Sequence, residues 1–284
     1  MSTKAALFAR LIKVEHSVYA LPFAYAGALL AEQKVPSWRD LLWITVAMVA
    51  ARSAAMALNR LIDAELDARN PRTAAREIPL GLLRRGEVLL FIAASLALLI
   101  VAAFFLSPPC RYLWPIPVAA FVAYPYAKRF TVLCHFALGL TDGLAPAAAW
   151  VAVTGDVAVA PVLLFLSVGL WVGGFDVIYA IFDVDFDRRV GIRSIPAAIG
   201  ETWALGIATL SHAAAVALLF WAGADLGLDW VYFAGCVVVG ALLIWSHADI
   251  ARRGLQHVGM GFMTVNGVVG IVYAAAVLAT VLAG

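Results

Sequence analysis

Asn59, Asp63 and Asp67 are spaced by four residues, and Tyr179, Asp183 and Asp187 repeat that spacing at a constant offset of 120. On an α-helix, residues four apart lie about 40° apart around the axis and one turn along it, so each acid pair presents its carboxylates on one face. Like charges at that spacing repel, and such pairs persist where something cationic bridges them. Oxygen-only ligands suit a hard ion such as Mg²⁺, which takes one or two carboxylates together with phosphate oxygens and water. Asp185 stands beside the second pair, and Asp176 lies two turns before it. The competing explanation for either patch is a solvated loop whose acids neutralise neighbouring arginines. Two matched patches favour the metal.

The basic residues complete the pattern. Arg60, Arg69, Arg72, Arg76, Arg84 and Arg85 surround or follow the first patch, and "REIP" at 76–79 is echoed by "RSIP" at 193–196. "YPYAKRFT", residues 124–131, carries Lys128 and Arg129, for which membrane anchoring is the competing role. Arg52 lies two turns before Asn59 in an apolar run, where a charge marks either a functional site or a structural pair, for instance with Asp142 in "GLTDGLAP". Acidic pairs for metal, flanked by arginines and a lysine, form the balanced set that a diphosphate with its Mg²⁺ ions needs. The phosphate-cradling GxxxxGK[ST] loop and the GxSxG elbow are both absent, which disfavours ATP hydrolysis and esterase chemistry. His16, His135, His212, His247 and His257 show no ligand spacing and read as structural or interfacial. Cys110, Cys134 and Cys236 read as small membrane-embedded hydrophobes.

The elements that position these groups follow from composition. With 284 residues, 64% hydrophobic and 13% charged, and a mean hydropathy of +0.94, the chain lies outside the range of soluble globular proteins. Apolar runs of roughly 20 residues match the helical length that crosses a hydrocarbon core, whereas the alternating segments of an outer-membrane barrel are absent. The fold class is therefore all-α, a polytopic membrane protein. Nine spans are expected, near 14–32, 39–60, 87–106, 112–128, 133–154, 159–181, 202–223, 229–247 and 262–282. Lysines and arginines concentrate before the first span and after the even-numbered ones, leaving Lys34, Arg39 and Arg111 on the other side. The positive-inside rule then puts the N-terminus and the acid-rich loops in the cytoplasm and the C-terminus outside. A removable signal peptide is not expected, because no small-residue cleavage site follows the first run. No linker or low-complexity tract interrupts the spans, so residues 1–284 read as a single membrane-embedded domain. The two patches end spans two and six, which run in the same direction, as in a parallel internal duplication. Gly139 with Gly143, and Gly169 with Gly173, have the spacing of close helix packing.

"NRLIDAELD" followed by "NPRT" and "REIP", then "YPYAKRFT", then "DVIYAIFDVDFDRRVGIRS" together resemble the UbiA superfamily of intramembrane aromatic prenyltransferases over essentially the whole chain. The resemblance implies a nine-helix ring with two quasi-repeated acidic motifs under a cytoplasmic cap, in the cell membrane. It implies that Asn59, Asp63 and Asp67 bind one Mg²⁺ with the isoprenyl diphosphate, and that Asp183 and Asp187 serve a second Mg²⁺ with Asp176 nearby. Lys128 and Arg129 would hold diphosphate oxygens, and Arg52 would face the pocket. Arg72 and Arg193 would belong to cap segments, and Tyr124 and Tyr179 would line the site. Arg60 is a departure, since the family often has a second acid directly after the motif's Asn. The expected reaction is Mg²⁺-dependent transfer of an isoprenyl group to a small aromatic acid, most like 4-hydroxybenzoate, in quinone biosynthesis. A hydroxynaphthoate on a menaquinone route, or a lipid or porphyrin acceptor, is the alternative. Other classes are a divalent-cation or anion transporter, disfavoured because the acids sit at span ends, and a CDP-alcohol phosphotransferase, for which "DAELDARN" lacks a glycine. The lipid bilayer is an expected partner; nucleic acid is not.

Overall fold

The computed structural model describes residues 3–284, with every side chain among them except those of 14–19, 256–264 and 266. Apolar runs separated by short Gly-, Pro- or acid-containing connections fold as helices, and among the described residues every regular element is helical. In chain order these are α1 (Lys4–Leu11), α2 (Val14–Glu32), α3 (Trp38–Ile62), α4 (Ala64–Arg69), α5 (Arg85–Phe105), α6 (Cys110–Leu113) and α7 (Pro115–Phe130). They continue as α8 (Cys134–Thr154), α9 (Val159–Ala180), α10 (Val184–Val190), α11 (Ile195–Ile199), α12 (Glu201–Asp225), α13 (Trp230–Arg253) and α14 (Leu255–Ala283). Local chemistry sets several ends. The Ser37 hydroxyl accepts from the Asp40 N–H to cap α3, Asp229 accepts from Val231 and Tyr232 to cap α13, and Gly155 closes α8 at φ 72°.

Among the described residues six helical stretches are long and apolar enough to cross a membrane: Trp38–Ile62, Arg85–Phe105, Cys134–Thr154, Val159–Val190, Glu201–Asp225 and Trp230–Arg253. They mark an integral membrane protein. Two shorter apolar helical stretches, Ala20–Glu32 and Gly267–Ala283, fall where the first and ninth spans are expected. The expected fourth span differs in form. Pro109 and Pro115 bracket a break at Trp114, so residues 110–130 divide into a four-residue α6 and a sixteen-residue α7. Trp38, Tyr112, Trp203 and Trp230 lie exposed near helix ends, as interfacial aromatics do.

Helix α2 packs on α3, α8 and α14; α3 on α5 and α7; α7 on α8; α8 on α9; α9 on α12; α12 on α13; and α13 on α14. The closest approach is between α8 and α9. A Cβ at Gly139 would stand 2.1 Å from the Gly169 carbonyl oxygen, and one at Gly143 would stand 2.3 Å from that of Phe165. Lipid supplies no hydrophobic force between spans, so this backbone contact is what van der Waals attraction has to work with. Gly139→Ala is expected to force the pair apart and destabilise the protein by about 1–3 kcal/mol, the usual range for overpacking. Thermal denaturation in detergent checks this, with Gly206→Ala as control, since nothing lies within 4 Å of a Cβ there.

One expectation is corrected. Asp63 and Asp67, and likewise Asp183 and Asp187, are expected on uninterrupted helix faces, yet both motifs break at their middle aspartate. Helix α3 stops at Ile62 and α4 starts at Ala64, with Asp63 at φ −92°, ψ 3° between them. In the second motif a 3₁₀ turn, Ile181–Asp183, joins α9 to α10. The four-residue backbone bonds Asp63 N to Asn59 O (2.9 Å) and Asp67 N to Asp63 O (2.8 Å) survive the bend. A tightened turn inside a helix commonly marks a functional hinge.

Candidate active site

The helices form a cavity of about 890 Å³ lined by α2, α3, α5 to α9 and, at Gly267, α14. Its walls are largely apolar, running from Leu106, Cys110 and Ile116 to Trp171 and Phe175. Polar groups gather at one end: Arg52, Tyr124, Asp142, Asp176 and Tyr179. Arg52 Nη1 lies 3.6 Å from Asp142 Oδ1, so the residue both faces the cavity and makes the intramembrane pair weighed for it. Its Nε is buried and has no partner. The Tyr124 hydroxyl donates to the Ala55 carbonyl at 3.4 Å. Trp171 lines the cavity and also packs on the core, its ring 4.9 Å from that of Phe23.

Beyond this lining, Asp63, Asp67 and Asp183 are each met by a base. Asp63 is 3% exposed; its Oδ2 accepts from Asn59 Nδ2 at 3.1 Å and from the Lys128 ammonium, and Arg129 Nη2 stands 3.8 Å from its Oδ1. Arg129 also donates to the Ile62 carbonyl at 3.1 Å and lies over the Tyr126 ring at 4.9 Å. Arg76 Nη1 donates to Asp67 Oδ1 at 2.6 Å. The segment after α4 then crosses to the second motif. Asn70 Nδ2 reaches Asp183 Oδ1 at 3.1 Å, and Arg72 grips both Asp183 oxygens, with Nε 2.9 Å from Oδ1. The same guanidinium lies 5.0 Å over the Tyr179 ring and donates to its hydroxyl at 3.1 Å, which ties the charged cluster to the cavity wall. Asp187 is buried, with Ser194, Asp183, Lys128 and His135 acting on its carboxyl, Ser194 through a side-chain hydrogen bond. Arg193 closes the far side: its N–H donates to Lys128 O and its Nη1 to Phe130 O, both at 2.8 Å.

Two carboxylate oxygens in the first motif, Asp63 Oδ1 and Asp67 Oδ2, are buried without any hydrogen-bond partner. Burial pushes the Asp63 carboxyl above its ordinary range; Lys128 pulls it down, Asp67 pushes it further up, and Arg129 pulls it down. A hard cation at such oxygens would relieve that desolvation, so the residues fit Mg²⁺. Among the described residues no three Asp, Glu, His or Cys side chains converge on one point, because Lys128, Arg72 and Arg76 occupy the space between acids. Mg²⁺ does not require three, since it keeps waters and phosphate oxygens as ligands.

Three neighbours of this cluster are absent from the sequence-based set: Asn70, Asp142 as a cavity residue, and His135, whose Nδ1 lies 2.7 Å from Asp176 Oδ2. His135 and Asp142 are seven apart on α8, a polar stripe in an apolar span, and that spacing was a usable signal. His16 and His257 lie outside the residues whose side chains are described.

Helices around an apolar cavity, with paired acids and bases at its polar end, define a membrane-embedded site for a ligand with a charged head and a hydrophobic body. Residues 20–268 match the UbiA prenyltransferase family, and the chain belongs to it. It is 30% identical over 286 residues to the 4-hydroxybenzoate octaprenyltransferase of Vibrio cholerae serotype O1, covering 99% of both chains. It is 31% identical over 261 residues to that of Cupriavidus necator, covering 89% of this chain and 90% of the relative. The apo UbiA homolog from Aeropyrum pernix K1 superposes with a TM-score of 0.85 at 33% identity, over 93% of this chain and 98% of that one. A UbiA homolog from Archaeoglobus fulgidus bound to DMAPP and Mg²⁺ shares the fold, with a TM-score of 0.68 at 18% identity over 96% and 99% of the two chains. The protein is thus an integral membrane enzyme, a prenyltransferase.

Proposed function

We propose that this enzyme transfers an isoprenyl group from its diphosphate to a small aromatic acid, 4-hydroxybenzoate being the nearest match, in quinone biosynthesis. The observation that carries the reading is the pair of buried oxygens on Asp63 and Asp67 that lack hydrogen bonds, beside Lys128, Arg129 and Arg76 and next to an apolar cavity. The relatives' names and the isoprenyl diphosphate and Mg²⁺ bound to the Archaeoglobus homolog support the same substrates.

Asn59, Asp63 and Asp67 would hold one Mg²⁺, and Asp183 and Asp187 a second. When bound, the ions neutralise charge on the departing diphosphate. Lys128, Arg129, Arg72 and Arg193 donate to its oxygens, in a site where such donors are worth far more than in water. The C–O bond of the allylic diphosphate breaks, leaving diphosphate and a carbocation. Tyr179, Phe175 and Trp171 present aromatic faces to that cation, and the apolar walls keep water from it. An electron-rich ring carbon attacks, and the displaced ring proton passes to Asp176; Tyr124 and the Arg52 edge carrying Nε orient the acceptor. We further infer nine spans in a ring of two quasi-repeated halves, forming a single domain in the cell membrane. The N-terminus and active site face the cytoplasm, and the C-terminus lies outside.

Purified enzyme with Mg²⁺, radiolabelled isoprenyl diphosphate and a panel of aromatic acceptors tests this. The expected product, read by mass, is prenylated 4-hydroxybenzoate with release of diphosphate. Product formed only from hydroxynaphthoate moves the enzyme to a menaquinone route, and no product from any aromatic acid sinks the reading.

A further inference from the structure

His135 lies in the first turn of α8, 3% exposed, and its ring is held at both edges. The backbone N–H of Ile195 donates to Nε2 at 3.3 Å. Nε2 therefore carries the lone pair, and in the neutral ring the proton stands on Nδ1. From there it is donated to Asp176 Oδ2, 2.7 Å away. Asp176 lines the cavity with 31% of its side chain exposed, whereas His135 is not part of the lining.

We propose that His135 is a positioning residue for the transfer reaction, fixing one oxygen of Asp176 so that the other is presented to the acceptor ring. The proposal rests on the reading of Asp176 as the carboxylate that orients the acceptor or takes its proton. An aspartate on an otherwise apolar helix face has free rotation about two side-chain bonds. A short N–H···O⁻ bond removes that freedom, and a misplacement of about 1 Å in such a group costs on the order of 10²-fold in rate. The imidazole is itself aimed by the segment that closes the charged cluster. Ile195 follows Arg193 and Ser194; Cys134 Sγ donates to Arg193 O at 3.3 Å, and Arg193 N donates to Lys128 O at 2.8 Å. The segment that meets Lys128 thus also chooses the tautomer of His135, and through it the aim of Asp176. No contact of His135 with substrate is required.

The test uses two substitutions of opposite reach. The amide of asparagine takes the place of Nδ1 and can still donate to Asp176. The amide of glutamine takes the place of Nε2, keeps the Ile195 contact and loses Asp176. His135→Gln is expected to lower kcat about tenfold to a hundredfold, the range for losing an outer partner that orients a working group, with KM for isoprenyl diphosphate unchanged. His135→Asn is expected to stay close to the unaltered enzyme. Glutamine equal to or better than asparagine, or equal losses in both, overturns the proposal. Asp176→Asn separates the two layers: if it is inactive while the His135 variants do not differ, the Asp176 reading stands and the positioning role falls. Should Asp176→Asn keep full turnover, the Asp176 reading itself fails. The double variant Asp176→Asn with His135→Gln should be no slower than Asp176→Asn alone, and additive losses count against the coupling.

Discussion

Asp63→Ala is expected to abolish isoprenyl transfer, by about 10³-fold or more, while the protein still inserts and purifies as a folded species. A factor of 10³ corresponds to roughly 4 kcal/mol of transition-state stabilisation at about 1.36 kcal/mol per decade. The magnitude follows from what meets at this residue. Its Oδ1 is buried without a hydrogen bond, 3.8 Å from Arg129 Nη2, and its Oδ2 takes both Asn59 and Lys128. In the proposed reading, removing it deletes an oxygen that would hold metal and leaves the Lys128 ammonium beside the site without its counter-charge. Helix α3 keeps its packing on α5 and α7, because Asp63 lies past the last residue of that helix. Product formation measured beside size-exclusion and thermal profiles checks both halves of the expectation. Full activity in this variant sinks the metal assignment of the first motif.

Lys128→Met is expected to lower kcat/KM for the isoprenyl diphosphate about 10²- to 10³-fold, as loss of one preorganised donor to a developing anion does. Methionine keeps the length and apolar stem of lysine, so a pure packing role would be largely preserved. Lys128 is where the two acid motifs meet: it bonds Asp63 directly, acts on Asp187, and through its own carbonyl receives the Arg193 N–H. Arg129, its neighbour, is partly diverted to the Ile62 carbonyl and the Tyr126 ring, so Arg129→Met is expected to cost less. Steady-state kinetics on both variants checks the ranking. Equal losses would put the two cations in equivalent roles.

The membrane class, the all-helical fold and the two acid motifs were legible because each is a short-range pattern: apolar length, charge asymmetry, and four-residue spacing repeated at an offset of 120. Arg52 and Asp142 were legible as a pair because two opposite charges inside apolar spans have few other partners. The helix breaks at Asp63 and at Ile181–Asp183 were not, since neither stretch holds Gly or Pro. They come with tertiary partners, Lys128 for the first motif and Arg72 with Asn70 for the second. The break at Trp114 was signalled by Pro109, Pro115 and Pro117, but the apolar run hid it. His135 reads as structural or interfacial from sequence, and its pairing with Asp176 was hidden for a different reason. Periodicity says which face of a span a residue occupies, not which helix lies opposite, and its partner Asp176 is 41 residues away on α9.

In the proposed reading both motifs act together on one diphosphate through Mg²⁺. Calorimetric binding of a non-hydrolysable isoprenyl thiolodiphosphate to purified enzyme, with Mg²⁺ and with chelator, tests it most directly when repeated on Asp63→Ala and Asp183→Ala. Tight binding is expected only to the unaltered enzyme with Mg²⁺ present, with its loss in chelator and in either variant. Undiminished binding in chelator, or in a protein lacking one motif's aspartate, would contradict it.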